Sequence, residues 1–112
     1  MTYKRWDIAR LTFPYLEGHD AKKRPALIVS AESLVASHRV YWAVMITTAK
    51  GGALPEDIAV TDPEGVGLVE DCVIRPSRLF TISEDLMDRR IGTLRPRDRA
   101  AVISFLKKSM PY

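Results

Sequence analysis

Val40-Tyr41-Trp42-Ala43-Val44-Met45-Ile46-Thr47 is the densest run of aromatic and β-branched residues in the chain, and its reading decides the fold. Such side chains suit a pleated, half-buried surface, and with Arg39 in front they predict a strand from Arg39 to Thr47. Upstream, Arg24-Pro25-Ala26-Leu27-Ile28-Val29-Ser30 is too short for a helix and has a proline near its start, so it reads as a second strand. Between them, Ala31 to Ser37 fit one loose helical turn or a plain connector. Sequential strands commonly pair antiparallel. Arg24 then stands opposite Thr47, with Leu27 facing Val44 and Val29 facing Trp42, which is sound cross-strand packing. Directly opposed residues share a face. A guanidinium and a hydroxyl therefore converge at one sheet edge, where two loops meet.

Working outward, Ala9, Leu11 and Phe13 alternate with Ile8, Arg10 and Thr12, a period near two that predicts a strand from Asp7 to Phe13. Pro14 ends it, because proline cannot donate to a ladder. Residues Tyr15 to Lys23 form a polar loop, and Ala49-Lys50-Gly51-Gly52-Ala53 a flexible one. A short strand is expected at Asp57 to Val60 and turn chemistry at Asp62-Pro63-Glu64-Gly65. A buried strand at Cys72 to Arg75 continues as Leu79 to Ile82 after Pro76. Ser83 is an N-cap candidate, with Glu84 and Asp85 in the first turn of a short helix that stops before Gly92. Pro96 opens the last helix. Val102, Ile103, Leu106 and Met110 lie on one stripe of it, with Phe105 on the shoulder and Lys107 and Lys108 in the last turn. The fold class expected is mainly β with short helices: a small, strongly bent antiparallel sheet or partly open barrel, with the C-terminal helix packed on it.

With 112 residues the chain is one domain, 1–112, since two cores would each be too small. Hydrophobic residues at 46% and charged residues at 28% match a globular protein rather than a disordered one. The longest apolar run, Val40 to Ile46, is far short of the ~18 residues a membrane helix needs, so no membrane partner is expected. The opening Met1-Thr2-Tyr3-Lys4-Arg5-Trp6-Asp7 has basic residues with no apolar stretch behind them, so no signal peptide is expected. Cys72 is the only cysteine. It forms no internal disulfide, which fits a reducing cytoplasm, and it leaves no paired-cysteine metal site. There is no GxxxxGK, GxSxG or HExxH, and His19 and His38 are not spaced as ligands on one element. Neither metal nor cofactor is expected.

The net charge is +3, from 17 basic and 14 acidic residues. This balance permits a nucleic-acid partner without demanding one. Its distribution says more, because Lys22-Lys23-Arg24 has no acid beside it. Arg24 and Thr47, joined by His19, Lys22, Lys23, Thr48 and Lys50 from the two loops, make a cationic cleft with hydrogen-bond donors suited to phosphate. The plainer alternative is a solvated charged loop beside an ordinary strand threonine.

Four stretches in order resemble the MazF/PemK family of toxins. Lys4-Arg5-Trp6-Asp7-Ile8 with Phe13-Pro14 resembles its "RGDI…FP" opening, and Lys23 to Ser30 its "RRPALVVS" strand. Ala43-Val44-Met45-Ile46-Thr47-Thr48 resembles the strand ending in "IT(S/T)". Asp71-Cys72-Val73-Ile74-Arg75, Leu79-Phe80-Thr81-Ile82 and Arg90-Ile91-Gly92-Thr93-Leu94 resemble "DSVVR…L.TL…RIGKL". Trp6 departs from the family's usual glycine, and Cys72 from its frequent serine.

The resemblance implies an SH3-like barrel, usually a homodimer, that cuts single-stranded RNA without a metal. Its catalytic arginine and hydroxyl residue map to Arg24 and Thr47. The implied reaction is attack by a ribose 2′-hydroxyl, giving 2′,3′-cyclic phosphate and 5′-hydroxyl ends. Implied partners are a cognate antitoxin with a disordered acidic tail and, only together with that antitoxin, operator DNA. An unperturbed histidine pKa of ~6.5 is what a general base needs, so His19 could serve as one, but a solvent-exposed loop histidine is the favoured reading of the residue. Glu17 and Asp20 are unranked alternatives. Two other readings fit the same barrel: a CcdB-like toxin that poisons DNA gyrase, and a nucleic-acid-binding module without catalysis.

Overall fold

Strong strand formers on both sides of short connectors give one antiparallel sheet. The computed structural model describes residues 2–13 and 22–111. Its strands are β1 (Asp7–Thr12), β2 (Lys23–Ile28), β3 (Val40–Thr48), β4 (Ile58–Ala59), β5 (Cys72–Ser83) and β6 (Met87–Thr93). Helix α1 (Glu32–His38) links β2 to β3, and α2 (Pro96–Ser109) closes the chain. The strands lie in the order β4-β5-β3-β2-β1-β6, so β4 and β6 are the edges and the bent sheet stays open.

The central strands bury both faces. Ile8, Leu27, Val44, Ile46 and Ile74 meet Leu94 and, from α2, Val102 in one cluster. Ala9, Leu11, Ala26, Ile28 and Ala43 meet Ile82 and, from α1, Val35 in the other. This is why the apolar runs in β2 and β3 are nearly continuous rather than alternating. On α2 only part of the expected stripe is covered. Val102 is fully buried and Leu106 partly so, whereas Ile103 and Met110 remain 40% and 39% exposed.

One expectation changes. The short helix after Ser83 is a single 3-10 turn, Glu84–Leu86, and the chain then becomes β6. Ser83 does cap it, its Oγ accepting from the Asp85 N–H at 3.4 Å. The outer edge of β1 offers unpaired backbone groups, and residues 87–93 satisfy them by pairing antiparallel along it. Gly92 permits that path, because a Cβ there would lie 2.3 Å from the Val66 carbonyl oxygen. The interruption at Pro76 does not split the strand but forms an irregularity within it. The register with β3 jumps from Val44↔Leu79 to Met45↔Arg75, leaving residues 76–78 unmatched.

Trp6 adopts φ 78°, a left-handed conformation in which any Cβ crowds the backbone. Its N–H donates to Ile28 O at 2.8 Å and its carbonyl accepts from Leu94 N at 2.8 Å. The indole packs on the α2-side cluster, with the Arg99 guanidinium 5.6 Å from its centre.

Candidate functional site

The β2–β3 ladder pairs Ala26 with Met45, Leu27 with Val44 and Ile28 with Ala43. Beyond it, Val29 N–H donates to Trp42 O at 2.9 Å. The ladder ends at Ala26↔Met45; continuing its register two residues outward would bring Arg24 opposite Thr47. Both positions are fixed from their other sides as well, Arg24 by Leu11 in β1 and Thr47 by Val73 in β5. Strand alternation places both on the face of Ala26 and Met45.

Arg24 is exposed and Thr47 half-buried. Among the described residues the Arg24 side chain has no hydrogen-bond or ion-pair partner. It shares that with Arg78 and Arg89 and differs in it from Arg10, Arg39, Arg75, Arg90 and Arg95, each with a carboxylate at 3.8 Å or closer. Among the described residues nothing neutralises this guanidinium, which leaves its donors able to meet an oxyanion.

The other expected residues are less uniform. Lys22 is exposed. Lys23 is drawn the other way, across β1, where Asp88 lies 3.4 Å off and also faces Arg10. Thr48 is half-buried and opposite Cys72. Lys50 meets Glu70 at 3.6 Å, and with Ala49 and Asp71 these two line a depression of about 450 Å³. Exposed pairs of this kind are worth roughly 0–1 kcal/mol, so an incoming phosphate competes with them at little cost. His19, Glu17 and Asp20 lie outside the described residues.

A pair next to the site was not singled out in the sequence. Arg75 donates from Nη2 to Asp57 Oδ2 at 2.9 Å and from Nε to Oδ1 at 3.2 Å. Burial pushes the Asp57 carboxyl up, but the Arg75 hydrogen bond, the Leu54 N–H and the guanidinium charge outweigh it and hold the group below its ordinary value. The same hydrogen bond raises Arg75. The available signal was that two expected strands, Asp57 to Val60 and Cys72 to Arg75, each carry a charge at one end.

The architecture is therefore a small open antiparallel sheet, with Arg24 near the start of β2 and Thr47 near the end of β3. The chain belongs to the PemK-like, MazF-like toxins of type II toxin–antitoxin systems; the model of that family matches residues 4–110. No curated protein matches it. Among solved structures it is similar in fold to MazF from Deinococcus radiodurans, at 16% identity and TM-score 0.78, with 97% of this chain and 96% of that one covered. It is also similar to the Mycobacterium tuberculosis toxin MazF-mt6, at 22% identity and TM-score 0.73, covering 92% and 94%. A third is an endoribonuclease in complex with its cognate antitoxin from a mycobacterial species, at 18% identity and TM-score 0.74, covering 99% and 97%.

Proposed function

We propose that this toxin is a metal-independent endoribonuclease that cuts single-stranded RNA selectively, with Arg24 and Thr47 as its catalytic residues. The observation that supports the reading is the Arg24 guanidinium, which has no partner among the described residues, at the end of a register that would continue to bring it opposite Thr47. The ribose 2′-oxygen attacks the adjacent phosphorus, the bond from phosphorus to the 5′-oxygen breaks, and a 2′,3′-cyclic phosphate and a 5′-hydroxyl result. The 2′-hydroxyl proton leaves to a base, and the 5′-oxygen gains one. Charge gathers on the non-bridging oxygens in the transition state, where a guanidinium and a hydroxyl donor fixed in advance stabilise it. Arginine stays protonated near neutral pH, so Arg24 clamps the phosphate and is not the base; His19, Glu17 and Asp20 are the candidates for that role. His19, Lys22, Thr48 and Lys50 bind flanking RNA, and Lys23 joins them by exchanging its Asp88 contact for phosphate. DNA lacks the attacking group and is spared.

The same cationic end accepts the acidic tail of the cognate antitoxin, and the pair together binds operator DNA. The protein works as a homodimer in the cytoplasm. Support for a second copy comes from Trp42 and Leu79, diagonal neighbours on β3 and β5 that stay 44% and 40% exposed. The test is to incubate the protein with a long transcript in EDTA and sequence the 5′ ends. Discrete new 5′-hydroxyl ends are expected. Cutting that appears only on addition of a divalent ion overturns the mechanism, and RNA binding without product favours a non-catalytic module.

A further inference from the structure

We propose that Asp57 and Arg75 are positioning residues that hold residues 49–57 in the shape that selects the RNA sequence. The proposal rests on the cleavage reading above. The loop begins directly after Thr48, and residues 49–56 are all exposed, so no apolar side chain anchors it. Gly51 and Gly52 have open space where a Cβ would point, and Gly52 has φ 84°. Such a segment has little of its own to fix its shape.

The Arg75 guanidinium supplies what burial does not. Ile58 pairs with Ile74, so one step outward Asp57 stands across from Arg75. The Asp57 side chain is 3% exposed and that of Arg75 17%. While bound to Asp57, Arg75 also donates from Nη2 to the Gly52 carbonyl at 3.3 Å. Asp57 in turn accepts from the Leu54 N–H at 2.8 Å and donates its own N–H to Leu54 O at 3.1 Å. Two points of the loop, Gly52 and the Leu54–Asp57 turn, are thus tied to β5. The tie lies at the site: Thr47 pairs with Val73, and Arg75, two residues on, shares that face at a diagonal spacing of about 7–8 Å. Glu56 also meets Lys108 at the surface, an exposed pair of small energetic weight.

Unlike Arg24, Arg75 is fully committed within the protein and is not a phosphate clamp. Its bonds fix where the loop's backbone and Lys50 stand beside the scissile bond. Arg24 and Thr47 sit on strands that the pair does not hold. Breaking the pair should loosen substrate choice and leave the chemical step intact.

The experiment compares full-length wild type, Asp57→Asn and Arg75→Lys on one long transcript in EDTA. It reads the spectrum of cut sites, the kcat and KM at the preferred site, and the melting temperature. Expected for both variants are a broader cut-site spectrum and a KM raised roughly tenfold with kcat within about twofold. Arg75→Lys keeps a charge for Asp57 and loses the bond to Gly52, so it carries the test if Asp57→Asn does not fold. A lower melting temperature with unchanged cut sites and KM assigns the pair a structural role and overturns the proposal. So does a fall in kcat at constant KM. A wild type that cuts no RNA removes the cleavage reading and this proposal with it; a selective wild type matched by its variants removes this proposal alone.

Discussion

Trp6 offers a comparison in which two opposed effects can be separated. Its φ of 78° costs any residue with a Cβ about 1–2 kcal/mol relative to glycine. Against this stands the packing of the indole on the α2-side cluster and over Arg99. Removing a fully buried tryptophan costs about 3–5 kcal/mol, and a cation–π contact at an exposed site adds about 0.5–1 kcal/mol. Trp6 is only partly buried, so its truncation should cost roughly 1–3 kcal/mol. Trp6→Ala loses the packing and keeps the crowding. Trp6→Gly loses the packing and relieves the crowding, with about 0.5–1 kcal/mol returned through the greater freedom of the unfolded glycine chain. Trp6→Ala should be less stable than the wild type by roughly 1–3 kcal/mol, with Trp6→Gly above Trp6→Ala by about 0–1.5 kcal/mol. Urea unfolding followed by far-ultraviolet circular dichroism measures the order. Trp6→Ala more stable than Trp6→Gly would refute the left-handed assignment, and Trp6→Ala as stable as the wild type would refute the packing role.

Three further outcomes are expected. Gly67→Ala adds a Cβ at φ 88°, 2.6 Å from the Ile91 carbonyl oxygen; backbone crowding and overpacking together should cost about 2–5 kcal/mol in urea unfolding. Asp57 has a folded pKa below its unfolded value, so its pair contributes stability above the ordinary carboxyl range of about 3.9, which is lost as pH falls through the folded value. The gap in urea midpoint between wild type and Asp57→Asn should accordingly be widest at neutral pH and close in acid; a constant gap contradicts the assignment. Trp42→Glu should shift the sedimentation of a dimer to that of a monomer, and no shift would place the second copy elsewhere.

What the sequence made legible was what neighbouring residues decide. The register Leu27↔Val44 follows from two short apolar strands joined by a short connector. The start of α2 is written in Pro96, and the cap at Ser83 in its hydroxyl. What stayed hidden depends on distant partners. Ser83-Glu84-Asp85 does start a turn, but the unpaired edge of β1, some 75 residues away by numbering, takes up the chain from Met87. Asp57 and Arg75 meet through the pairing of a strand only two residues long, which has no periodicity to read. Ile103 and Met110 lie on the right stripe of α2, but the cluster beneath is filled by Val102 and Leu106. The positive φ at Trp6 was visible only as a departure from a family's glycine.

The central claim is that one guanidinium and one hydroxyl act together on a phosphodiester, and single-turnover cleavage tests it most directly. Wild type, Arg24→Ala and Thr47→Val are compared on an RNA containing one preferred site, in EDTA. Loss of an oxyanion donor typically costs about 10²–10³ in rate. Arg24→Ala should lose at least that much and Thr47→Val a comparable factor, with melting temperatures unchanged because neither side chain is bonded to another described residue. Cleavage by either variant within about threefold of the wild type would contradict the account.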